Sequence, residues 1–462
     1  MNIKFFGATK EVTGSCHLLQ VNNKNILLDC GMFQGSREHE KHNHDPFPFD
    51  VSELDAVIVS HAHLDHTGRL PMLIKEGFHG SIYTHNATVD LCEIMLVDSG
   101  YIHEKEAFWE NKKRERKGLE LVEPLYTTDD AKITLQYFKG LNYNEELAVC
   151  EGVKLTLRNA GHIIGSAIVE LKITENNVSK TVVFSGDLGH KNAPILRDPY
   201  QVKHADLVVM ESTYGDRLHR SWQDTWQEMG EIIAHAKSNK GNILIPAFTV
   251  GRTQEILYEF GQHFQEWQLN DWQIFLDSPM GIKATKVYAK HSDVYDKSAS
   301  DVQGIEQGIF ELPNLHMSES TEYSMKINQI NSGAIIIAGS GMCTGGRIKH
   351  HFKHNIWRKN AHILIVGFQA KGTLGRALVD GAKTIKLWGE TVQVNAKIHT
   401  VGGFSAHADQ QGLIDWYNGF NNKPPIVLVH GEEEAMEILA QKLKHQHQAN
   451  VIQASFKQSV TI

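Results

Sequence analysis

The pattern of apolar and polar positions over roughly the first 200 residues predicts short strands that alternate with loops and helices. Each predicted strand is an apolar, β-branched run bounded by glycine or polar residues, which is typical of buried strands. These runs lie at 25–29, 55–60, 81–84, 153–157 and 181–185. The stretch 104–139 is charged and poor in glycine, so we expect an exposed helical segment there.

From about residue 219 the pattern changes to longer strand–helix units, which indicate a second α/β domain with parallel strands. Its strand-like runs lie at 242–248, 273–277, 333–338 and 362–368. After about residue 387 strand-like segments return, at 391–398 and 426–429. No low-complexity linker marks either change, so we predict one domain inserted into another. The expected boundaries are 1–216 for the first part of the outer domain, 217–390 for the insertion and 391–462 for the return.

Composition narrows the class of protein. A chain of 462 residues with 41% hydrophobic and 22% charged residues is expected to form two or three globular domains. No run is apolar enough for a signal peptide or a membrane span, and five cysteines without CxxC spacing are typical of reduced thiols. We therefore expect a cytoplasmic enzyme that does not contact membranes.

The net charge of −8 argues against a protein that coats nucleic acid, although bound cations could still give a nuclease a positive site. The one dense basic run, 112–117, has two interpretations. A solvated helix face is favoured over a patch that steers a substrate.

Candidate chemistry is concentrated in one stretch of six residues, which holds His61, His63, Asp65 and His66. Imidazole and carboxylate groups are ligands that zinc prefers, and the stretch follows a predicted buried strand. Open α/β sheets bind ligands at this end of their strands. One loop cannot close two metal sites, so further ligands should follow other strands. The candidates, each beside a glycine, are His162, Asp187 and His430.

These residues carry a family resemblance. The 61–66 stretch, with Asp29 before it and His162 and Asp187 after it, resembles the metallo-β-lactamase superfamily. The stretches 211–215, 404–407 and 430–432 are similar to motifs A, B and C of the β-CASP nucleases, most closely those of RNA cleavage and polyadenylation. The likeness covers essentially the whole chain. It implies an α/β fold in which a metallo-β-lactamase αββα sandwich carries an inserted parallel α/β β-CASP domain.

The resemblance also implies two zinc ions per chain. Asp187 would bridge them, and Asp29 would orient the histidine cluster from behind the ligands, a role typical of carboxylates around metal-bound imidazole. The first ion would be held by His61, His63 and His162, and the second by Asp65, His66 and His430.

Two further residues receive catalytic roles from the resemblance. His407 would be the general acid for the leaving oxygen, and Glu211 would orient it and hold its proton. The competing interpretation of Glu211 is an ordinary carboxylate in a loop or at a helix N-terminus. Contacts to substrate phosphates are expected from the inserted domain, whose glycine-rich loop 339–346 offers backbone amides. The candidates are Arg252, Ser340, Lys371, Arg376 and Ser405, with surface solubility as the competing explanation for the cations.

The function so implied is a zinc-dependent ribonuclease that cleaves single-stranded RNA in a cleft between the domains by a two-metal mechanism. Endonuclease and 5′ exonuclease modes both remain open. A DNA-directed β-CASP nuclease is one alternative, although His430 at motif C favours RNA. A small-molecule hydrolase of the wider superfamily has no need of the inserted domain, and a scaffold without catalysis would not keep every ligand. The segment 430–462 is a candidate for a homodimer contact.

Overall fold

The computed structural model describes residues 1–302 and 308–462. They form two compact units, and the second is inserted into the first as predicted. The first unit comprises Met1–Lys191, Asp198–Leu218 and His407–Ile462, and the second comprises Asn192–Arg197 and His219–Ala406. All five cysteines are free thiols, which agrees with the expected absence of disulfides.

The first unit is built from two seven-stranded sheets and flanking helices. Its strands are β1 (Asn2–Phe5), β2 (His17–Val21), β3 (Lys24–Leu28), β4 (Ala56–Ile58), β5 (Ser81–His85), β6 (Phe138–Leu141), β7 (Glu146–Cys150), β8 (Val153–Asn159), β9 (Ala167–Glu175), β10 (Val178–Phe184), β11 (Leu207–Glu211), β20 (Ile426–Val429), β21 (Val451–Gln453) and β22 (Ser459–Thr461). Its helices are α1 (Arg37–Glu40), α2 (Leu64–Thr67), α3 (Leu70–Lys75), α4 (Asn86–Glu115), α5 (Thr128–Leu135), α13 (Gln410–Asn418) and α14 (Glu433–His447).

The two sheets have the strand orders β22-β1-β2-β3-β4-β5-β6 and β21-β20-β11-β10-β9-β8-β7. Their facing sides share one apolar core, which includes Leu19 and Ile58 from the first sheet and Leu171 and Val209 from the second. Helices α13 and α14 cover the outer face of the second sheet, and α4 packs against β5 and β6 of the first. This arrangement confirms the predicted αββα sandwich.

The second unit is a parallel α/β domain. Its strands are β12 (Ile243–Pro246), β13 (Gln273–Leu276), β14 (Leu315–Met317), β15 (Ala334–Ala338), β16 (His362–Ile365), β17 (Thr384–Leu387), β18 (Glu390–Gln393) and β19 (Lys397–Thr400). Its helices are α6 (Trp222–Ser238), α7 (Arg252–Gln262), α8 (Pro279–Lys290), α9 (Lys297–Val302), α10 (Thr321–Ile327), α11 (Ile348–Asn355) and α12 (Leu374–Val379). The main sheet has the order β14-β13-β15-β12-β16-β19, and its described pairs are all parallel.

The second unit extends further along the chain than the expected end at 390. Strand β18 pairs with β17, and β19 pairs with β16 at the edge of the main sheet. Because these hydrogen bonds tie both strands to the second unit, that compact unit extends to Ala406 and the first unit resumes at His407.

The expected helical segment at 104–139 is only partly correct. Helix α4 begins earlier, at Asn86, and ends at Glu115, while α5 begins only after Thr127. Thr127 and Asp130 form a reciprocal capping box that fixes the start of α5. Strand β6 then occupies the end of the stretch. Among the helices of the described residues, none combines the length and apolar character of a membrane span.

The core between the sheets yields a stability prediction. Leu171 on β9 is fully buried, so Leu171→Ala removes apolar contacts and leaves a cavity. We expect the free energy of unfolding to fall by about 2–5 kcal/mol, measured by denaturant titration. Val178, at the start of the adjoining β10, is 52% exposed, and Val178→Ala is the control with little expected effect. Equal losses in the two variants would contradict the assignment of this core.

Candidate functional site

The side chains of the first unit that were predicted to surround the metal site lie where strands end. Asp29 follows β3, His61 lies three residues after β4, Asp187 lies three residues after β10, and His430 follows β20. Strands β3 and β4 are parallel, as are β10, β11 and β20, so their carboxyl ends share an edge within each sheet. The predicted strand-to-helix loop holds His61 and His63, but Asp65 and His66 already lie in the short helix α2.

A first group consists of His61, His63, His162 and Asp187, whose ligand atoms all lie within 4.8 Å of one another. His63 Nδ1 is 3.0 Å from His61 Nε2 and 3.2 Å from His162 Nε2. Ligands about 2.0–2.1 Å from a tetrahedral ion lie roughly 3.3–3.4 Å apart, so the spacing of these nitrogens suits such an ion.

A second group consists of Asp65, His66 and His430. His66 Nε2 lies 3.2 Å from His430 Nε2, which in turn is 3.5 Å from Asp65 Oδ2. Asp187 lies between the groups, because its Oδ2 is 3.4 Å from both His61 Nε2 and His66 Nε2. Its Oδ1 is buried without a hydrogen-bond partner among the described residues. A buried carboxylate oxygen of this kind is costly, and a cation between the two groups would satisfy it.

Asp29 stands behind the second group and not in it. Its Oδ2 is 2.7 Å from His66 Nδ1, which directs the opposite nitrogen of that ring toward Asp187. The fully buried carboxylate also accepts hydrogen bonds from the Ser60 amide at 2.7 Å and from the Ser15 and Ser60 hydroxyls at 3.0 Å. Neither serine was predicted from the sequence, although a buried carboxylate needs donors and Ser60 directly precedes His61.

Thr213 is a further residue that sequence reasoning missed. Its hydroxyl lies 3.1 Å from His430 Nδ1 and donates to the His430 carbonyl at 3.2 Å, so it fixes both the ring and the backbone of that histidine. The available signal was its place two residues after Glu211 in the motif A stretch.

The electrostatics of the groups favour a bound cation. Burial lowers the pKa of His61 well below its usual range and lowers that of His63, which keeps both rings in the neutral form that binds metal. Burial opposes ionisation of Asp65, but the charge on His66 and a hydrogen bond from His430 lower its pKa to about 2. Burial likewise tends to lower the pKa of His66, yet the carboxylates of Asp187, Asp29 and Asp65 raise it well above its ordinary value. These carboxylates therefore favour a positive charge, either a proton or a metal ion, beside His66.

The structure brings His407 and Glu211 together although 196 positions separate them. Glu211 is fully buried at the end of β11, and its Oε1 accepts from the Leu188 amide at 2.7 Å and lies 3.2 Å from His407 Nδ1. Burial tends to lower the pKa of His407, but the carboxylates of Glu211 and Asp187 outweigh it and raise the pKa to about 9. The imidazole therefore holds a proton at neutral pH, at 3.9 Å from Asp187.

The five phosphate candidates lie in the second unit. Arg252 is buried, forms an ion pair with Glu255 and stacks on the Phe404 ring at 4.8 Å. Arg376 forms two contacts with Asp380, of 2.9 and 3.0 Å. Both guanidinium groups thus have carboxylate partners, and their role as phosphate ligands stays a prediction.

The remaining three candidates also stay predictions. Ser340 accepts a hydrogen bond from the Gly345 amide at 3.1 Å, which closes the glycine-rich loop upon itself. Lys371 is exposed, and Ser405 is buried.

Three family models match successive parts of the chain. A metallo-beta-lactamase superfamily domain matches residues 18–208, and a Beta-Casp domain matches residues 253–378. A Zn-dependent metallo-hydrolase RNA specificity domain matches residues 391–453. The order of these matches is that of an outer domain interrupted by an insertion.

Curated relatives and a solved structure agree with this order. The chain is 40% identical to Ribonuclease TTHA0252 of Thermus thermophilus, over 96% of each protein. It is 31% identical to Transcription termination factor FttA of Methanocaldococcus jannaschii, over 94% of this chain and 67% of that relative. A crystal structure of a protein of unknown function from Enterococcus faecalis V583 has the same fold, with a TM-score of 0.56 and 13% identity over 100% of this chain and 99% of that one. The chain belongs to the β-CASP nucleases of the metallo-β-lactamase superfamily.

Proposed function

We propose that this protein is a zinc-dependent ribonuclease that hydrolyses phosphodiester bonds of single-stranded RNA by a two-metal mechanism. The observation that carries the proposal is the pair of ligand groups that meet at Asp187, with His407 Nδ1 3.9 Å from that carboxylate. A relative named as a ribonuclease and a match to an RNA specificity domain support RNA as the substrate.

The donor set fits two divalent cations. His61, His63 and His162 would hold the first, while Asp65, His66 and His430 would hold the second. Asp187 would contact both, which would also satisfy its orphaned Oδ1. The mixture of imidazole and carboxylate donors suits zinc. When bound, the two ions would supply Lewis acidity toward the scissile phosphate and an activated water as the nucleophile.

His407 would complete the reaction as the general acid. Its Nδ1 faces Glu211, so we assign Nε2 as the nitrogen that gives a proton to the leaving sugar oxygen. Glu211 would be a positioning residue that keeps the ring oriented and protonated. It lies near Asp187 and His430, but its Oε1 faces His407 and the Leu188 amide while Oε2 accepts from the Thr213 amide at 3.3 Å, so we do not assign it as a ligand.

Substrate class is tested first. Zinc-loaded protein is incubated with end-labelled single-stranded RNA and the matching DNA, with 5′-hydroxyl and 5′-monophosphate ends in parallel. We expect cleavage of RNA, and the product ladder distinguishes internal cutting from 5′ removal. Preferential cleavage of DNA would support the DNA-directed alternative. Loss of every polymer activity with retained thioester or lactone hydrolysis would support a small-molecule hydrolase.

The general-acid assignment is tested by His407→Ala. Removing the proton donor should lower kcat on RNA by about 10²–10⁴-fold while zinc content stays at two ions per chain. Rates come from single-turnover cleavage and zinc content from elemental analysis. His445→Ala, at an exposed histidine of α14, is the matched control and should behave like the unmodified protein. Full activity of His407→Ala would remove this assignment.

The bridging role is tested by Asp187→Asn, which keeps the size of the side chain but removes its charge. We expect bound zinc to fall below two ions per chain, since a neutral amide cannot hold two cations together. Elemental analysis after desalting measures the change. Asp129→Asn, at an exposed carboxylate paired with Lys132, should retain two ions. A full complement of zinc in Asp187→Asn would refute the shared ligand.

A cytoplasmic location and a homodimer formed through 430–462 stay predictions.

A further inference from the structure

Helix α4 extends beyond the core that supports its first half. The helix has 30 residues, all of them within the described part of the chain, and its last buried residue is Gly100. The part that follows carries large exposed side chains, with Tyr101 53%, Phe108 48% and Trp109 58% exposed. At about 1.5 Å per residue, residues 101–116 reach over roughly 22 Å. Exposed aromatic rings in such number mark a surface that contacts another molecule.

The rings alternate with lysines along one face. Lys105 Nζ lies 5.2 Å from the Tyr101 ring, and Lys112 Nζ lies 4.4 Å from the Phe108 ring and 4.9 Å from the Trp109 ring. Spacings of three and four residues place side chains side by side on a helix, so these contacts form a continuous row. We call Tyr101, Lys105, Phe108, Trp109 and Lys112 the aromatic–basic stripe.

The charge of this part of the helix indicates which kind of molecule the stripe would bind. The run 112–117, which continues the stripe, holds five cations and one anion in a chain whose net charge is −8. A concentration of cations on an acidic protein favours an anionic partner. Rings set among lysines match a single-stranded nucleic acid, because bases stack on the rings while phosphates pair with the ammonium groups. A purely apolar helix face would instead have suited a protein partner.

We propose that the aromatic–basic stripe binds single-stranded RNA at a distance from the metal centre. The proposal rests on the proposed ribonuclease function, and it makes the stripe a holding site for substrate beyond the cleavage point. For the run 112–117 it favours the alternative, a patch that contacts a substrate, over a merely solvated face.

The helix sets the distance between the two sites. Near its start, the Thr88 hydroxyl donates to the Gly165 carbonyl at 2.8 Å, in the loop that carries His162. Tyr101 is 13 residues further along, or about 20 Å, and the far end of the stripe lies about 36 Å along the helix. A stacked strand advances about 3.4 Å per nucleotide, so roughly 6–11 nucleotides separate the loop from the stripe. The stripe should therefore act on long RNAs only.

The test compares a 5-nucleotide and a 30-nucleotide RNA of unstructured sequence on the zinc-loaded protein. For Phe108→Ala/Trp109→Ala we expect KM for the 30-mer to rise about tenfold, because base stacking on two rings is lost. The kcat on both RNAs and KM for the 5-mer should not change. For Lys105→Ala/Lys112→Ala, the slope of log Kd against log salt for the 30-mer should decrease by about 1.4. Phe456→Ala is the matched control, since this ring is 57% exposed with Lys457 Nζ at 5.4 Å but lies outside the stripe.

Binding is measured independently by fluorescence anisotropy with the 30-mer, so the stripe can be judged even if no RNA is cleaved. Cleavage failure with intact, stripe-dependent binding would refute the ribonuclease and retain the RNA site. Unchanged Kd and KM in both double variants would overturn the stripe. So would a dimer in the unmodified protein, seen by light scattering, that Phe108→Ala/Trp109→Ala dissolves without weakening RNA binding.

Discussion

The buried carboxylate of Asp187 is the group on which the rest of the site depends. It is buried among imidazoles, of which burial keeps His61 and His63 neutral, and one of its oxygens has no hydrogen-bond partner in the described part of the chain. An ionised carboxylate in such surroundings needs compensating positive charge. Without bound cations, the raised pKa values of His66 and His407 provide it as protons. The negative charge of the buried carboxylates would also hold two divalent ions, bound by the imidazole nitrogens of the two ligand groups.

The fold serves this requirement by bringing strand ends together. Two sheets deliver the ligands from opposite sides: the first sheet contributes the loop after β4, and the second contributes those after β8, β10 and β20. Because the ligands lie in loops and one short helix that follow buried strands, little conformational freedom is left to lose when a cation binds. Ser15 and Ser60 then hold Asp29, which orients His66, so the geometry is supported behind the ligands as well.

Some residues of the site could be predicted from the sequence because they follow apolar strands. His61, Asp187 and His430 each come soon after an apolar run, and local pattern finds such residues however far apart they lie. The pairing of His407 with Glu211 was predicted only from a family resemblance. No local sequence pattern connects two residues that are 196 positions apart in the chain. Ser15 and Thr213 were missed because a hydroxyl has no pattern of its own until the fold shows which group it faces. The apolar pattern of β19 fits a strand of either unit, and only its pairing with β16 assigns it to the sheet of the second unit.

Anomalous X-ray diffraction at the zinc edge, from crystals of the zinc-loaded protein, would locate the bound ions. We expect two anomalous peaks, one within bonding distance of His61, His63 and His162 and the other of Asp65, His66 and His430, with Asp187 bonded to both. A single peak, or two peaks that do not share Asp187, would contradict this expectation.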